Sequence, residues 1–420
     1  MITKPPITRE NLIDGYCKLG VDKGTKIAIA VSGGADSLCL LLLSRFDYKV
    51  TAITVDHGLR KEAAEEASFV AALCAEYSIP HVTLRWQGDK PTANLQAAAR
   101  EARYDLIKNW CVEKGIETVA VAHHQDDQAE TVLLRLARGS GVYGLAGMAP
   151  VRSIGQGVSL VRPLLEYPKE SLIRTVKDMG IKWVEDPSNR SEAYDRVKIR
   201  KMLANPPVEG LNAARLAGTA GRLRRSRDAL EYYERQWLLA AVHFYDEGYC
   251  TVDTKQFKDA PEEIILRALA SICRFVSGGT YVPRMEKILR LYSALQEGEF
   301  KGQTLYGAMF SPLSEHVALV TREVSAISTP VALESQGIWD LRFWYQAQGN
   351  ISGLTIAPVG ENGWIQLKNI YKDMKEFSSP RLAILAMPAL FDGEQLRSVP
   401  FLGYDTLKDV SFSFSREGNK

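Results

Sequence analysis

The chain has 420 residues, 46% hydrophobic and 24% charged, with a formal net charge of +2. That length exceeds one ordinary domain, and the balance is that of a folded globular protein, so a wholly disordered chain and a uniformly basic polyanion binder are both excluded; any basic surface must be local. The longest apolar run, 38–43, is far short of the roughly 20 residues of a membrane span, and the opening residues carry no apolar leader segment, so neither a membrane helix nor a secretory leader is expected.

Residues 26–31, 50–55, 81–84 and 118–122 are short and apolar, and they predict buried parallel strands. Between and after them, 36–43, 62–77, 95–114 and 126–138 carry helical spacing, with stops at Gly115 and Gly139. Residues 168–179 predict a further helix ended by Gly180. Strand alternating with helix predicts a doubly wound α/β sheet. The cluster "NPPVEG" at 205–210 marks a candidate boundary, which gives a first domain over 1–205. A mainly helical domain is expected over 206–325: one or two long helices over 211–245, helices over 262–276 and 283–295, and a hairpin over 304–321 turning at Ser311-Pro312. Residues 325–337 read as a linker, and 326–420 as a small C-terminal α+β module whose aromatics between Trp344 and Trp364 suit either base stacking or packing.

The six cysteines are Cys17, Cys39, Cys74, Cys111, Cys250 and Cys273, and no two form a CxxC pair. That spacing disfavours a zinc ribbon, an iron–sulfur cluster and a redox dithiol. Cys39 and Cys111 lie in apolar helical patterns and read as small core residues. Reduced thiols fit a cytoplasmic setting.

The stretch that carries chemistry is "KIAIAVSGGADSLCLLLL", where a strand pattern ends in Ser32-Gly33-Gly34 and a helix pattern follows. A helix start leaves orphan N–H groups pointing outward, its dipole favours an anion, and glycine lets backbone approach phosphate oxygens. Ser32 and Ser37 can add hydroxyls around Ala35. Asp36 would repel a phosphate unless a cation bridges the two, which points to Mg²⁺. No lysine follows the glycines, so a Walker A loop is disfavoured, and the dinucleotide pattern GxGxxG is also absent.

"SGGADS" resembles the signature of the PP-loop ATP pyrophosphatases. The wider set is similar to the tRNA(Ile)-lysidine synthetases: "VDHGLR" (55–60), "NLQAAAREARY" (94–104), "AHHQDDQAETVLLRLARGSGVYGLAGM" (122–148), "RPLL" (162–165) and "WVEDPSNRSEAYDRVKIR" (183–200). The resemblance spans roughly residues 26–200. It implies a ligase that adenylates the 2-carbonyl of a wobble cytosine in the CAU anticodon of tRNA(Ile) with ATP. Lysine then attacks, and AMP and pyrophosphate are released.

"HHQDDQAET" follows the strand at 118–122, which places it at the carboxyl edge of the sheet. Asp127 and Glu130, three residues apart, share a helix face with Asp126 nearby, and a face of paired carboxylates suits an ammonium or a metal ion; acids at a helix start also need no ligand to be favourable. The resemblance implies that Asp127 and Glu130 hold the amino groups of L-lysine. Of His123 and His124, adjacent at a strand end, at most one faces the site; His124 is taken as the catalytic candidate. The resemblance further puts Asp56 and His57 near the nucleoside of ATP and gives Arg100 or Arg103 a phosphate or cytosine contact, with Arg103 as the catalytic candidate. Arg196 and Arg200, four apart, are candidate substrate contacts. From Arg190 to Arg227 ten basic residues face three acidic ones, an excess suited to RNA phosphates or to an ordinary solvated helix face.

Two other functions fit parts of the pattern. A PP-loop thiolation or amidotransfer enzyme would want paired cysteines or a glutaminase nucleophile, and a nucleotide- and RNA-binding protein without chemistry would not need Asp126, Asp127 and Glu130 together.

Overall fold

A computed structural model describes residues 4–59, 62–88, 90–91, 94–185, 195–279, 283–296, 300–327, 330–349, 351–371, 377–407 and 410–414. Arg60, the "DPSN" motif at 186–189 and Arg190 lie outside the described residues. The chain divides into two compact units, Met1–Asp228 and Ala229–Lys420.

The first unit runs α1 (Arg9–Cys17), β1 (Lys26–Ala30), α2 (Ala35–Ser44), β2 (Lys49–Asp56), α3 (Glu62–Glu76), β3 (His81–Arg85), α4 (Leu95–Lys114) and β4 (Thr118–Ala120). It continues through α5 (Gln125–Ala137), α6 (Val142–Leu145), β5 (Val151–Gly155), β6 (Val158–Val161), α7 (Lys169–Asp178), α8 (Asp195–Ala204) and the start of α9 (Ala213–Ala241). The sheet order is β3-β2-β1-β4-β6-β5. All pairs are parallel except β5 with β6. Strand β1 shows why the sheet is covered on both sides. Ile27, Ile29 and Val31 join one core with α1, α2, α3 and α7, while Ala28 joins the other with Ile107 and Cys111 of α4. That is the two-residue alternation of a strand buried on both faces.

Helix α2 lies deepest. All of its residues except Asp36 are buried. Cys39 and Cys111 are fully buried, in line with their reading as core residues.

The antiparallel hairpin β5–β6 was not anticipated from the sequence. Its signal is the Gly155-Gln156-Gly157 turn, where all three residues take positive φ. The breaker cluster at 205–210 is a turn between α8 and α9, and the first compact unit continues past it to Asp228. The division falls within α9, whose Arg224 donates to the Met148 carbonyl of the first unit at 3.1 Å.

The second unit is richer in strand than the sequence pattern implied. Strands β7 (Val242–Phe244), β8 (Cys250–Asp253), β9 (Gln303–Leu305), β10 (Ala308–Ser314) and β11 (Val317–Arg322) form an antiparallel sheet against α10 (Glu262–Ser277) and α11 (Met285–Gln296). The hairpin turns at Glu315-His316, not at Ser311-Pro312. Pro312 is tolerated within β10 because it lies past the stretch Ala308–Phe310 that pairs with β9, so its missing N–H breaks no ladder on that side.

The expected linker at 325–337 contributes β12 (Val331–Ala332) and the start of β13 (Gln336–Trp339). β13 pairs with β14 (Phe343–Ala347), on which Phe343 and Tyr345 face inward and Trp344 is exposed. Between these strands Asp340 is buried with two arginines. Its Oδ1 is 2.9 Å from Arg322 and its Oδ2 is 2.7 Å from Arg342, whose guanidinium also donates to the Gly248 carbonyl. Removing the shared carboxylate leaves two buried cations unneutralised. Asp340→Ala is therefore expected to cost about 3–5 kcal/mol, read as a lower denaturation midpoint by tryptophan fluorescence.

Candidate active site

Strand β1 has β2 on one side and β4 on the other, so the chain reverses its direction of travel across the sheet between β1 and β4. Doubly wound folds bind ligands outside the carboxyl ends of the strands at such a switch point. The segments 31–34 and 121–124 meet there.

The glycine turn is shaped by its backbone. Gly33 has φ +80°, a backbone conformation that a side chain would strain. Its carbonyl accepts the Val184 N–H at 2.9 Å. Ser37 Oγ donates to the Gly34 carbonyl at 3.0 Å and accepts the Ser32 N–H at 3.2 Å, so the two serines brace the loop. Gly34 opens α2 in an extended conformation with no side-chain cap, which leaves the first-turn amides beside Ala35 and Asp36 open to a ligand. Asp36 Oδ2 is 3.5 Å from His124 Nε2 and 3.9 Å from Lys169 Nζ. Its Oδ1 is buried without a hydrogen-bond partner.

The start of α5 is a capping box made by His124 and Asp127. The Asp127 N–H donates to His124 Nδ1 at 3.3 Å, and the His124 N–H donates to Asp127 Oδ2 at 3.2 Å. In the neutral ring the proton therefore sits on Nε2, facing Asp36 and Asp127. Burial opposes protonation of His124. The hydrogen bond to Asp36 and the charges of Asp127, Asp36 and Asp126 outweigh it and raise the pKa above the usual histidine value. His123 behaves oppositely. Burial, with Arg162 adding to it against Asp127, pushes its pKa down to about 4, and its Nδ1 accepts from Arg162 Nε at 3.1 Å. Burial also opposes ionisation of Asp127, but His124, His123 and Arg196 hold its carboxyl below the usual range. Asp126 turns away to α7, where its Oδ2 accepts the Lys169 N–H at 2.9 Å.

Glu130 is 1% exposed. Arg200 Nε donates to its Oε1 at 2.9 Å, Arg196 Nε stands 4.0 Å from Oε2, and Oε2 has no hydrogen-bond partner. Arg196 and Arg200 of α8 thus converge on the acid face of α5. Burial opposes the charge of Arg200, but Glu130, Asp127 and Asp36 together raise its pKa.

A second cluster stands at the end of β2. Arg103 of α4 donates to His57 Nε2 from Nε at 3.2 Å. Burial and the Arg103 charge lower the His57 pKa, and its Nδ1 is buried without a partner. Asp56 Oδ1 accepts the Gly58 N–H at 2.8 Å. Arg100 packs over the Tyr104 ring.

Four positions carry structure that the sequence reading left without a role. Gln128, 2% exposed, accepts the Met148 N–H at 2.7 Å and donates to its carbonyl at 3.1 Å. Arg135 donates to the carbonyls of Gly144 and Gly147 at 2.7 and 2.9 Å. Together they clamp the loop after α5. Arg162 is 4% exposed and holds His123 and the Ala149 carbonyl. Lys169 reaches Asp36 from α7. "RGSG" and "RPLL" flagged Arg162 and the clamped loop; nothing local flagged Lys169.

Among the described residues no group of three or more His, Cys, Asp or Glu is arranged to hold a metal ion. One carboxylate with a free buried oxygen fits Mg²⁺ when phosphate oxygens and water supply the remaining positions.

A PP-loop domain family of the ATP-binding type matches residues 9–206. A tRNA(Ile)-lysidine synthase from Ruegeria pomeroyi is 37% identical over 90% of this chain and 89% of its own. The chain belongs to the tRNA(Ile)-lysidine synthase family. Relatives of the same name from the Wolbachia of Brugia malayi and from Methylobacterium nodulans are 31% and 41% identical, covering 94% and 72% of this chain and 92% and 93% of theirs. It is a PP-loop, ATP-using ligase of the tRNA-modifying class.

The Glu130–Arg200 pair joins α5 to α8 and generates a direct test. Glu130→Ala is expected to release α8 by about 1–3 kcal/mol, read as faster amide hydrogen exchange across 195–204 with little change in α2.

Proposed function

We propose that the protein converts the wobble cytidine of the CAU anticodon of tRNA(Ile) to lysidine, with ATP, Mg²⁺ and L-lysine. The observation that carries the reading is the pair of buried, unpartnered carboxylate oxygens in one crevice, Asp36 Oδ1 and Glu130 Oε2. An orphaned buried oxygen is costly unless a ligand satisfies it. Two such oxygens fit a reaction that brings a cation-bridged triphosphate and an ammonium group to one place.

The first-turn amides of α2, with Ser32, Gly33, Gly34, Ala35 and Ser37 shaping the bend, hold the phosphates of ATP; Asp56 and His57 border the nucleoside. Mg²⁺ at Asp36 would neutralise charge that builds on the phosphates. The cytosine, drawn out of its stack, presents its 2-carbonyl oxygen to the α-phosphate, and pyrophosphate leaves. Arg103, tied to His57, adds positive charge near that step. Lysine is gripped by Asp127 and by the free oxygen of Glu130. Its neutral ε-amine attacks the activated carbon and AMP departs. A carboxylate or histidine of the 123–130 cluster takes the amine's proton. Positioning and charge neutralisation supply most of the rate.

The exposed Arg222 and Arg225 of α9 fit RNA phosphates better than Arg224, whose guanidinium is engaged with the Met148 carbonyl. Thiolation is less well supported: five cysteines are buried, Cys17 is the exposed one, and burial raises the Cys74 and Cys111 thiols to about 11.

Purified protein given ATP, L-lysine and tRNA(Ile) transcript is expected to release AMP only when both lysine and tRNA are present, with a lysine adduct on the anticodon cytidine by mass analysis. Asp36→Ala is expected to abolish AMP release while tRNA still binds; retained turnover would remove Asp36 from the phosphate site. Reversing charge at Arg222 and Arg225 is expected to weaken tRNA binding and flatten its salt dependence by roughly 0.7–0.9 log units per lost phosphate contact, measured by titration at several ionic strengths.

A further inference from the structure

The glycine turn lacks the lysine that a Walker A loop carries directly after its glycines. We propose that Lys169, at the first position of α7, supplies that missing cation and binds the β- and γ-phosphates of ATP and the pyrophosphate they become. This inference rests on the ATP-dependent reading above.

Three observations converge on Lys169. Its Nζ stands 3.9 Å from Asp36 Oδ2, at the mouth of the phosphate turn. Its backbone is fixed by the Asp126 carboxylate, which accepts its N–H at 2.9 Å, so the acid cluster of α5 sets where the lysine starts. The third is position: Lys169 is the first residue of α7, directly after Pro168, so its side chain leaves the helix at the end held by Asp126.

The Asp36–Lys169 pair is not built for stability. At 3.9 Å it is longer than a hydrogen bond, and the two side chains are 28% and 39% exposed. Pairs of that kind contribute little to folding. The lysine tip is therefore loosely held and free to swing onto a phosphate oxygen when the Asp36 carboxylate is taken up by the cation. The opposite edge of β1 leads to β2 and the candidate nucleoside contacts Asp56 and His57. Lys169 approaches from the other direction, beside the N-terminus of α2, where the far end of the triphosphate would lie.

The test compares three ligands on one protein. Titration calorimetry with ATP, inorganic pyrophosphate and AMP is run on wild type, Lys169→Met and Lys169→Arg. Loss of a charged hydrogen bond predicts that Lys169→Met weakens ATP and pyrophosphate roughly 10- to 100-fold. AMP, which lacks the β- and γ-phosphates, is expected to change less than about twofold, and Lys169→Arg to recover most of the loss. A purely structural lysine would shift all three ligands alike or none of them, and either result overturns the proposal. Wild-type protein that neither binds ATP nor releases AMP with tRNA and lysine would overturn the functional reading itself. Wild type that does both, with Lys169→Met unchanged, sinks only the role of Lys169.

Discussion

Everything at the crevice depends on the burial of one helix. Apart from Asp36, each residue of α2 is packed against the sheet and the helices around it. A helix with no solvated face has no freedom to tilt, so its first-turn amides and its single unburied carboxylate are held at one place beside β4. Preorganised donors of this sort act without reorganisation at the moment of reaction. The leucine run that looks like mere core is what aims the chemistry.

Around that fixed point, polar side chains tie three helices together. His124 and Asp127 cap α5, Asp126 holds the start of α7, and Glu130 receives Arg200 from α8. Neighbouring acids thus divide their labour by direction: Asp126 serves the backbone of another helix, while Asp127 and Glu130 stay in the crevice. The division between the two histidines is electrostatic. His124 lies among carboxylates and is drawn towards protonation, whereas His123 is buried beside Arg162 and kept neutral.

The second unit shows how a sequence pattern misleads when strands are short. β9 and β12 have three and two residues, too few for an alternating pattern to register. Within the stretch read as a linker, Val331–Ala332 pair with β15 (Leu354–Pro358) and the start of β13 pairs with β14, next to the Arg322–Asp340–Arg342 cluster, and none of these leaves a local mark. A proline read as a turn residue lies inside β10 because its neighbouring strand ends first.

By itself the sequence determined the alternating strands and helices of the first unit, the glycine bend with its exposed amides, and the helix face that groups Asp127 with Glu130. These follow from periodicity and turn chemistry, which act over a few residues and are written in adjacent positions. Tertiary structure alone decided which histidine meets Asp36, that Glu130 is shared with Arg200 from 70 residues away, and that Lys169 comes to the phosphate turn. Such contacts depend on the order and twist of the strands carrying each helix. A pairing that the sheet brings about through space has no spacing in the chain from which it can be read.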